Sequence, residues 1–356
     1  MNSRTERGFS LVELMVGMVL GLILIGGAVS IYLASKRSYV EVEQVAALTE
    51  SARFAEQIIG DSLRHAGFFG GVSVGMIEAS SSLTAVPSAQ DCNDTGLTGG
   101  TDLASANNLG QFVFAGTVDS SNSALGCITG SGVEGGMEGT DVLVIKRVLT
   151  QPYTDGPRDS LDPNDPTQGD GTIDTPDSLD NNKTYVMTNN VKGLVFDGDS
   201  PPDISLGGEI PGGMAWEYNY EVYYIRDPDP TSTDDTPQLS RKTLKWNGTA
   251  MELQREDVAE GVENLRVLLG YSSNADGEVD TYKTPSQMAA ADWVKVQSVE
   301  VFLLTRSATR DVQYTDVKQY QMPGTAIPVA NDNYRRLISH ASVSLRNLKL
   351  MARGGV

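Results

Sequence analysis

The chain begins with a long apolar stretch and continues with a helical pattern that is apolar on one side only. From Leu14 to Leu33 there are 20 residues without a formal charge or a proline, which as a helix measure about 30 Å, the thickness of a hydrocarbon core. Gly67, Gly70 and Gly71 end the later pattern. We predict one helix over residues 9–68, with a membrane-spanning part (9–35) and an amphipathic part (36–68). The apolar stripe of the amphipathic part recurs every three or four residues, at Val45, Leu48, Ala52, Ala55, Ile59, Leu63 and Ala66.

Residues 69–356 carry β-branched, aromatic and alternating patterns, which predict strands. The predicted strands are 141–149, 183–189, 216–226, 238–246, 294–306 and 340–348. The clearest alternation predicts packing in a core or between sheets, with an exposed adhesive patch as the alternative; it comprises Trp216, Tyr218, Tyr220, Val222 and Tyr224. The strands 216–226 and 238–246 should form a hairpin, followed by a tight turn at Asn247-Gly248. The expected fold class is α+β, a long N-terminal helix packed on an antiparallel β-sheet domain with long loops.

Composition and charge narrow the classes of function. The formal net charge of −19 argues against nucleic-acid binding, because phosphate recognition depends on Lys and Arg. Two cysteines and two histidines nearly exclude a zinc cluster. Arg4 and Arg7 against Glu6 favour a cytoplasmic N-terminus, which places the rest of the chain outside the cytoplasm. In that oxidising compartment Cys92 and Cys127 favour a disulfide, and two free buried thiols are the alternative.

Glu13 raises a question, because an unpaired carboxylate near a membrane core is costly. A cleaved secretory signal would have a shorter apolar run and a small-residue cleavage site. A plain membrane anchor would not need the carboxylate. We interpret Glu13 as a group that pairs with another subunit, and an ordinary anchor with a tolerated glutamate is the alternative.

The short basic leader, Gly8, Phe9 and Glu13, in the stretch "RGFSLVEL", resemble the class III signal of type IV pilins and pseudopilins. The resemblance implies that a prepilin peptidase removes residues 1–8 by cutting between Gly8 and Phe9, and that it methylates the new terminus at Phe9. It also implies that Glu13 pairs with the positively charged amino terminus of a neighbouring subunit. Such a pair is strong at low dielectric when it is well hydrogen-bonded. Loss of two arginines and one glutamate would change the formal charge from −19 to −20.

Four further segments, 61–71, 261–282, 291–307 and 334–347, narrow the resemblance to PilW-type minor pilins. That family implies a non-catalytic minor pilin that primes and takes part in type IV pilus assembly, near the fibre tip. Its partners would be other minor pilins and the major pilin through the N-terminal helix, the prepilin peptidase and a tip adhesin.

The same resemblance implies a localisation. Before assembly the protein would cross the inner membrane once, with the globular domain (69–356) in the periplasm; afterwards it would lie in the pilus fibre at the cell surface. A J-type pseudopilin of type II secretion is one alternative. A pilin-anchored surface adhesin or calcium-dependent binding module is another.

Some motifs suggest site chemistry. "GDSL" at 60–63 matches a lipase nucleophile block, but Ser62 falls in the helical stripe and Leu337 stands where the acid three residues before His340 would be. We therefore predict no enzymatic activity. Calcium is the one candidate cofactor, to be tested by calorimetric titration, although solvated acidic loops are the default interpretation. In the run 155–180 the first ligand positions would be Pro166 and Gln168, which cannot supply carboxylates. The candidate ligands are Asp170, Asp174 and Asp177 in the run 155–180, and Asn274, Asp276 and Asp280 in a second half-match.

Overall fold

The protein divides into two compact units, Met1–Ala47 and Leu48–Val356. The first unit contains the beginning of one long helix, α1 (Leu11–His65), and the second contains the rest of that helix and the sheets. The computed structural model describes residues 10–79, 91–93, 103–106, 108–130, 134–153, 179–189, 191–204, 206–227, 236–247, 251–274 and 277–347.

The helix α1 confirms the predicted helix over the described residues, except that it ends three residues before the predicted residue 68. It ends at His65, and Gly67 then takes a φ of +73°, a conformation that only glycine adopts without strain. A Cβ at Gly67 would lie 2.8 Å from the ring of Phe112. The Gly67 N–H donates to the carbonyl of Lys146 at 3.0 Å, which ties the end of the helix to the sheet.

The rest of the described chain consists mainly of strands. Short 3₁₀ helices interrupt the strands in the later part of the chain, at Pro285–Gln287 and Ala290–Lys295. The strands are β1 (Ile77–Ala79), β2 (Val113–Thr117), β3 (Asp141–Val148), β4 (Thr184–Thr188), β5 (Gly193–Asp197), β6 (Met214–Arg226), β7 (Gln238–Trp246), β8 (Met251–Glu260), β9 (Val262–Tyr271), β10 (Thr281–Lys283), β11 (Val296–Arg306), β12 (Tyr320–Met322), β13 (Thr325–Ile327) and β14 (Arg336–Ser344).

These strands form two larger sheets and a small hairpin. The first sheet has the order β1-β5-β4-β6-β3-β2, and β7 and β8 extend it from β6. The second sheet has the order β10-β9-β11-β14, and β12 pairs with β13. All pairs are antiparallel except β1 with β5, so the predicted α+β class with an antiparallel sheet is confirmed.

Each of the six predicted strands is present, but the predicted bounds of the last two need correction. The strand predicted at 294–306 begins at Val296, because a 3₁₀ helix occupies Ala290–Lys295. The strand predicted at 340–348 is Arg336–Ser344, and the Leu345 N–H donates to Gln297 as the chain leaves the sheet. The predicted hairpin is β6 with β7. Trp246 pairs with Met251 across the next hairpin, as the predicted turn requires, while Gly248 lies outside the described residues.

The core lies between the sheets and the buried side of α1. Its side chains come from the helix, from β3 and β6 in the first sheet, and from β9 and β11 in the second. A buried carboxylate joins the two sheets: Asp141 on β3 accepts hydrogen bonds from Arg266 Nη1 and from the Val267 N–H on β9, both at 2.9 Å. Burial raises the pKa of Asp141, and the Arg266 guanidinium opposes that rise.

Candidate functional site

The described helix begins with a serine and a glutamate that together form part of an N-terminal cap. The Glu13 N–H donates to Ser10 Oγ at 3.2 Å, and the Leu14 N–H donates to the Ser10 carbonyl at 3.1 Å. Ser10 and Glu13 have the spacing of a capping box, S-x-x-E, which the sequence could have indicated and which our sequence analysis missed. Ser10 therefore satisfies the backbone N–H of Glu13 at the helix start.

The Glu13 side chain is exposed and makes no ion pair with any described residue. It lies in the first turn of α1, where the helix dipole favours a negative charge. An exposed carboxylate at this place is available to a cation from outside the chain. Gly8 and Phe9, the predicted cleavage and methylation residues, lie outside the described residues.

The first part of α1 presents apolar side chains on every side. Leu11, Leu22 and Leu24 are each about 70% exposed or more. In the part of the chain that the structure describes, α1 is the one helix long and apolar enough to cross a membrane. The side chains of this segment therefore need a membrane or other apolar helices around them.

The second part of α1 packs its predicted stripe into the domain core. Leu48, Ala52, Ala55, Ile59, Leu63 and Ala66 are all buried. The stripe starts one step later than predicted, because Val45 is 44% exposed. Val45 belongs to the first compact unit, which ends at Ala47.

Ser62 is a structural residue of the helix. It is buried on α1, and its hydroxyl shares a hydrogen bond with Tyr223 Oη at 3.1 Å. His340 lies on β14, where its ring stacks on Phe302 and Nε2 stands 3.5 Å from Glu300. The lipase arrangement needs its serine on an exposed turn after a strand, and a buried helical Ser62 does not have that geometry.

The predicted disulfide between Cys92 and Cys127 is confirmed, with the two Cα atoms 4.6 Å apart. Asp91, next to it, accepts hydrogen bonds from the N–H groups of Cys92 and Ala106 and from Ser105 Oγ. Burial raises the pKa of Asp91, and these hydrogen bonds oppose the rise. Because the disulfide closes the loop between Cys92 and Cys127, it contributes roughly 4 kcal/mol to the free energy of unfolding in the chain-entropy treatment.

The segment held by the disulfide is also fixed by groups that the sequence analysis did not single out. Lys146 on β3 is fully buried, and its ammonium donates to the carbonyls of Leu103, Ser105 and Asn108 at 2.5–2.9 Å. Tyr218 and Tyr220 on β6 donate to the carbonyls of Ala106 and Ala104, each at 2.8 Å. The lysine in the apolar strand pattern of β3 is the one signal that could have indicated these contacts.

The predicted tyrosine face is part of the core, as expected. Tyr218, Tyr220, Val222 and Tyr224 are buried, and Trp216 is partly buried against the core. Burial raises the pKa of Tyr218 and Tyr220 well above the ordinary value. The other face of β6 is buried from Glu221 onward, and Glu221 is held between Arg147 and Arg241.

The structure describes only some of the candidate calcium ligands. Asp170, Asp174, Asp177 and Asp276 lie outside the described residues. Asp280 accepts hydrogen bonds from the N–H and hydroxyl of Ser273, which closes a local turn. The described residues contain no group of three or more His, Cys, Asp or Glu side chains arranged to hold a metal ion.

Comparisons with known proteins agree with the site geometry at both ends of the chain. The family described as "Type IV Pilus-assembly protein W" matches residues 222–347, about a third of the chain. The "Prokaryotic N-terminal methylation motif" matches residues 3–29, which include the start of α1. The architecture, a long apolar N-terminal helix followed by an antiparallel-sheet domain, is the fold class that the sequence predicted. The two matches confirm the resemblance to PilW-type pilins that the sequence predicted.

Among solved structures, a type IV-like pilin from Thermus thermophilus (TTHA1219) is 19% identical over 47% of this chain and 86% of that chain, with a TM-score of 0.24. The curated proteins contain no match.

Proposed function

We propose that the protein is a minor pilin that primes type IV pilus assembly together with other minor pilins and lies at or near the fibre tip. The observation that carries the proposal is an exposed apolar helix, capped by Ser10, whose first part lies in a methylation motif, in a chain with a PilW region. A type IV pilus role rests on those features directly. Priming and the position at the tip go beyond them.

The exposed helix supplies the means of assembly. Met15, Val19, Leu22 and Ile23 are exposed in the single chain and would pack against the helices of neighbouring subunits. Glu13 would pair with the amino terminus of a neighbour once cleavage has exposed it. In a low-dielectric helix bundle each charge is costly without its partner, so the pair fixes the register between subunits.

Before assembly the same helix would hold the protein in the inner membrane as a single span, with the sheet domain in the periplasm. The prepilin peptidase would act at Gly8–Phe9 and methylate Phe9. The partners in the fibre would be the other minor pilins, the major pilin and a tip adhesin. The bulk-subunit role is disfavoured, because repeated packing in a narrow fibre leaves little room for a domain of residues 48–356.

The proposed role needs no catalysis and no cofactor. Calcium binding by the acidic run 155–180 stays a separate proposal. Calorimetric titration of the detergent-solubilised full chain with calcium tests it, and a titration without heat or thermal stabilisation would reject it.

The test of the proposed function is a set of substitutions at Glu13 in the native organism. Glu13→Ala should leave the protein processed and reduce surface pili to few or none. Glu13→Gln is the informative variant, because glutamine at this position still supports a capping box but carries no charge. If the charge sets assembly, Glu13→Gln should fail as Glu13→Ala does.

Glu43→Ala is the matched control, an exposed glutamate on the same helix beyond the apolar stretch. It should leave processing and piliation unchanged. Normal piliation in Glu13→Gln cells would reduce Glu13 to a capping residue. Normal piliation in Glu13→Ala cells would remove the assembly role and favour the secretion or adhesin alternatives.

A further inference from the structure

Two long strands lie at the edges of the larger sheets as far as the described strands go, and they differ in how they are protected. β8 pairs with β7 alone and β14 pairs with β11 alone among the described strands. The β7–β8 pairing contains a register shift at Leu239/Ser240. The β11–β14 pairing is regular over all nine residue pairs, from Ser298↔Ser344 to Arg306↔Arg336. A long, regular edge strand presents a row of unpaired backbone donors and acceptors.

The side chains repeat this difference. Edge strands that must stay unpaired carry charges, prolines or irregularities. β8 carries charged residues throughout its length: Glu252, Arg255, Glu256, Asp257 and Glu260. β14, with the sequence RLISHASVS, has no proline, lysine or acidic residue. Its only arginine, Arg336, is the first residue and is held by Glu263, Asp316 and Asp332.

The outer part of β14 has the side chains of a strand that can continue a sheet. His340, Ser342 and Ser344 share one face and are exposed. The His340 ring stacks on Phe302 of β11 with the ring centroids 4.3 Å apart. On the opposite face, Val343 is buried in the core. A strand added beside β14 would thus lie next to polar side chains on one face of the sheet and next to the margin of the core on the other face.

The charges around β14 limit which kind of strand can pair with it. Residues 334–347 contain three arginines and no acidic residue, in a chain of formal charge −19. Arg335 and Arg336 have carboxylate partners within the domain. Arg346, just beyond β14, is exposed and makes no ion pair with any described residue. An acidic side chain at the end of the added strand would meet it.

The same charges argue against two strands as partners of β14: one from a second copy of this chain and one from this chain's own last residues. A β14 strand from a second copy has no carboxylate between residues 334 and 347 to offer Arg346. The chain's own last residues, 348–356, carry Lys349 and Arg353 and no acid. Both would place like charges together.

We propose that β14 is the docking edge for an extended strand of a different extracytoplasmic subunit, hydrogen-bonded along Arg336–Ser344 and carrying a carboxylate beside Arg346. The partner being a subunit of the same assembly rests on the proposed function. The open edge does not depend on it.

Site-specific photo-crosslinking of the full chain in piliated cells tests this proposal. A photoreactive residue is placed at Ser342 or Ser344 on β14 and, as the matched control, at Gln254 on β8. The two β14 positions should crosslink to one strand of another subunit, and the crosslinked residue should move by two when the probe moves by two. Gln254 should give no such crosslink.

Several results would overturn the proposal: crosslinks to a second copy of this chain, crosslinks to residues 348–356, scattered products without the two-residue step, or equal yields from Gln254. Because the cells are piliated, such a failure leaves the assembly role of Glu13 untouched. Failure of the Glu13 test, in turn, leaves a stepwise crosslink from β14 interpretable as docking in another assembly.

The charge is tested separately in the same cells. Arg346→Glu should lower the crosslink yield from Ser344 about fivefold, the effect of roughly 1 kcal/mol. Arg346→Lys keeps the charge and should retain the yield. Equal yields from both variants would reject the carboxylate at this position, and an unchanged amount of processed protein serves as the folding control.

Discussion

The two parts of α1 share one helical sequence element but differ in what surrounds them. In residues 11–47 the apolar side chains are exposed, as at Leu22, which is 69% exposed. In residues 48–65 the stripe is buried, and Leu63 has no exposed surface. Most helical stability in proteins comes from packing of an apolar face. The first part therefore depends on a membrane or on other subunits, and the second depends on its own domain.

Glycines show the same difference. A Cβ at Gly17, Gly21, Gly26 or Gly27 would meet nothing within 4 Å, although each glycine weakens a helix by about 1 kcal/mol. A Cβ at Gly70 would collide with the indole of Trp216, and its φ is +64°. Gly70 in the second unit is thus explained by the chain itself. The glycines in the first part fit a close approach by helices from outside the chain.

The largest expected effect that separates the two regions is alkaline unfolding of the second unit. Burial raises the pKa of Tyr185 and Tyr223 to about 12, whereas an unfolded tyrosine titrates near 10. Below pH 10 both states are protonated, and the stabilisation is complete. As the pH rises from 10 through 12, the unfolded state loses protons first, so stability is lost, by about 2–3 kcal/mol for each such tyrosine.

Tryptophan fluorescence and far-ultraviolet circular dichroism of the full chain in detergent micelles measure this effect. Trp216, Trp246 and Trp293 all lie in the second unit and should report unfolding above pH 10. Helical signal from the first unit should remain. Tyr223→Phe should flatten the loss between pH 10 and 12, and Tyr39→Phe, at an exposed position, should not. Simultaneous loss of both signals would contradict the distinction between the regions.

A smaller effect is expected from matched leucine substitutions in the two parts of the helix. Leu63→Ala removes a fully buried side chain and should lower the free energy of unfolding of the second unit by about 3 kcal/mol. Leu22→Ala should change that value by less than about 0.5 kcal/mol, because its side chain is exposed in the single chain. Urea titration followed by tryptophan fluorescence gives both values. Equal losses would mean that the first part of the helix also stabilises the domain.

The sequence predicted the elements whose pattern is set by local packing. The helix stripe from Leu48 to Ala66 and the hairpin of β6 and β7 follow from periodicity, which reports burial on one side. Val45 fits the period but not the structure, because periodicity does not show where the domain begins. For β6 the alternation indicated one buried face, and the other face proved to be buried too from Glu221 onward, where Glu221 lies between two arginines.

Other features depend on contacts that are distant in sequence. β8, with the sequence MELQREDVAE, has no apolar alternation, and its strand form comes from pairing with β7. Asp141 and Arg266 are 125 residues apart, and Lys146 binds carbonyls about 40 residues away. A charged residue in a strand pattern shows that a partner is needed but not which one. The candidate docking residue, Glu13, was identified from the sequence, whereas its capping contact with Ser10 was not.

The smallest effect compares two helical serines, one in each part of α1. Ser62→Ala removes the buried hydrogen bond to Tyr223 and should cost about 1 kcal/mol of unfolding free energy. Ser30→Ala removes only a local bond from its hydroxyl to the Gly27 carbonyl on the exposed part of the helix. It should leave the stability of the second unit unchanged, because that bond lies within the first unit.

A double-mutant cycle of Ser62→Ala with Tyr223→Phe isolates the contact itself. A coupling of at least about 0.5 kcal/mol is expected, since each single change removes the same hydrogen bond. Tyr223 Oη also lies 3.5 Å from Arg241 Nη1, so the tyrosine change alone should cost more than the serine change. Additive losses would show that Ser62 and Tyr223 act independently, and their hydrogen bond would then not contribute to the attachment of the helix to the sheet.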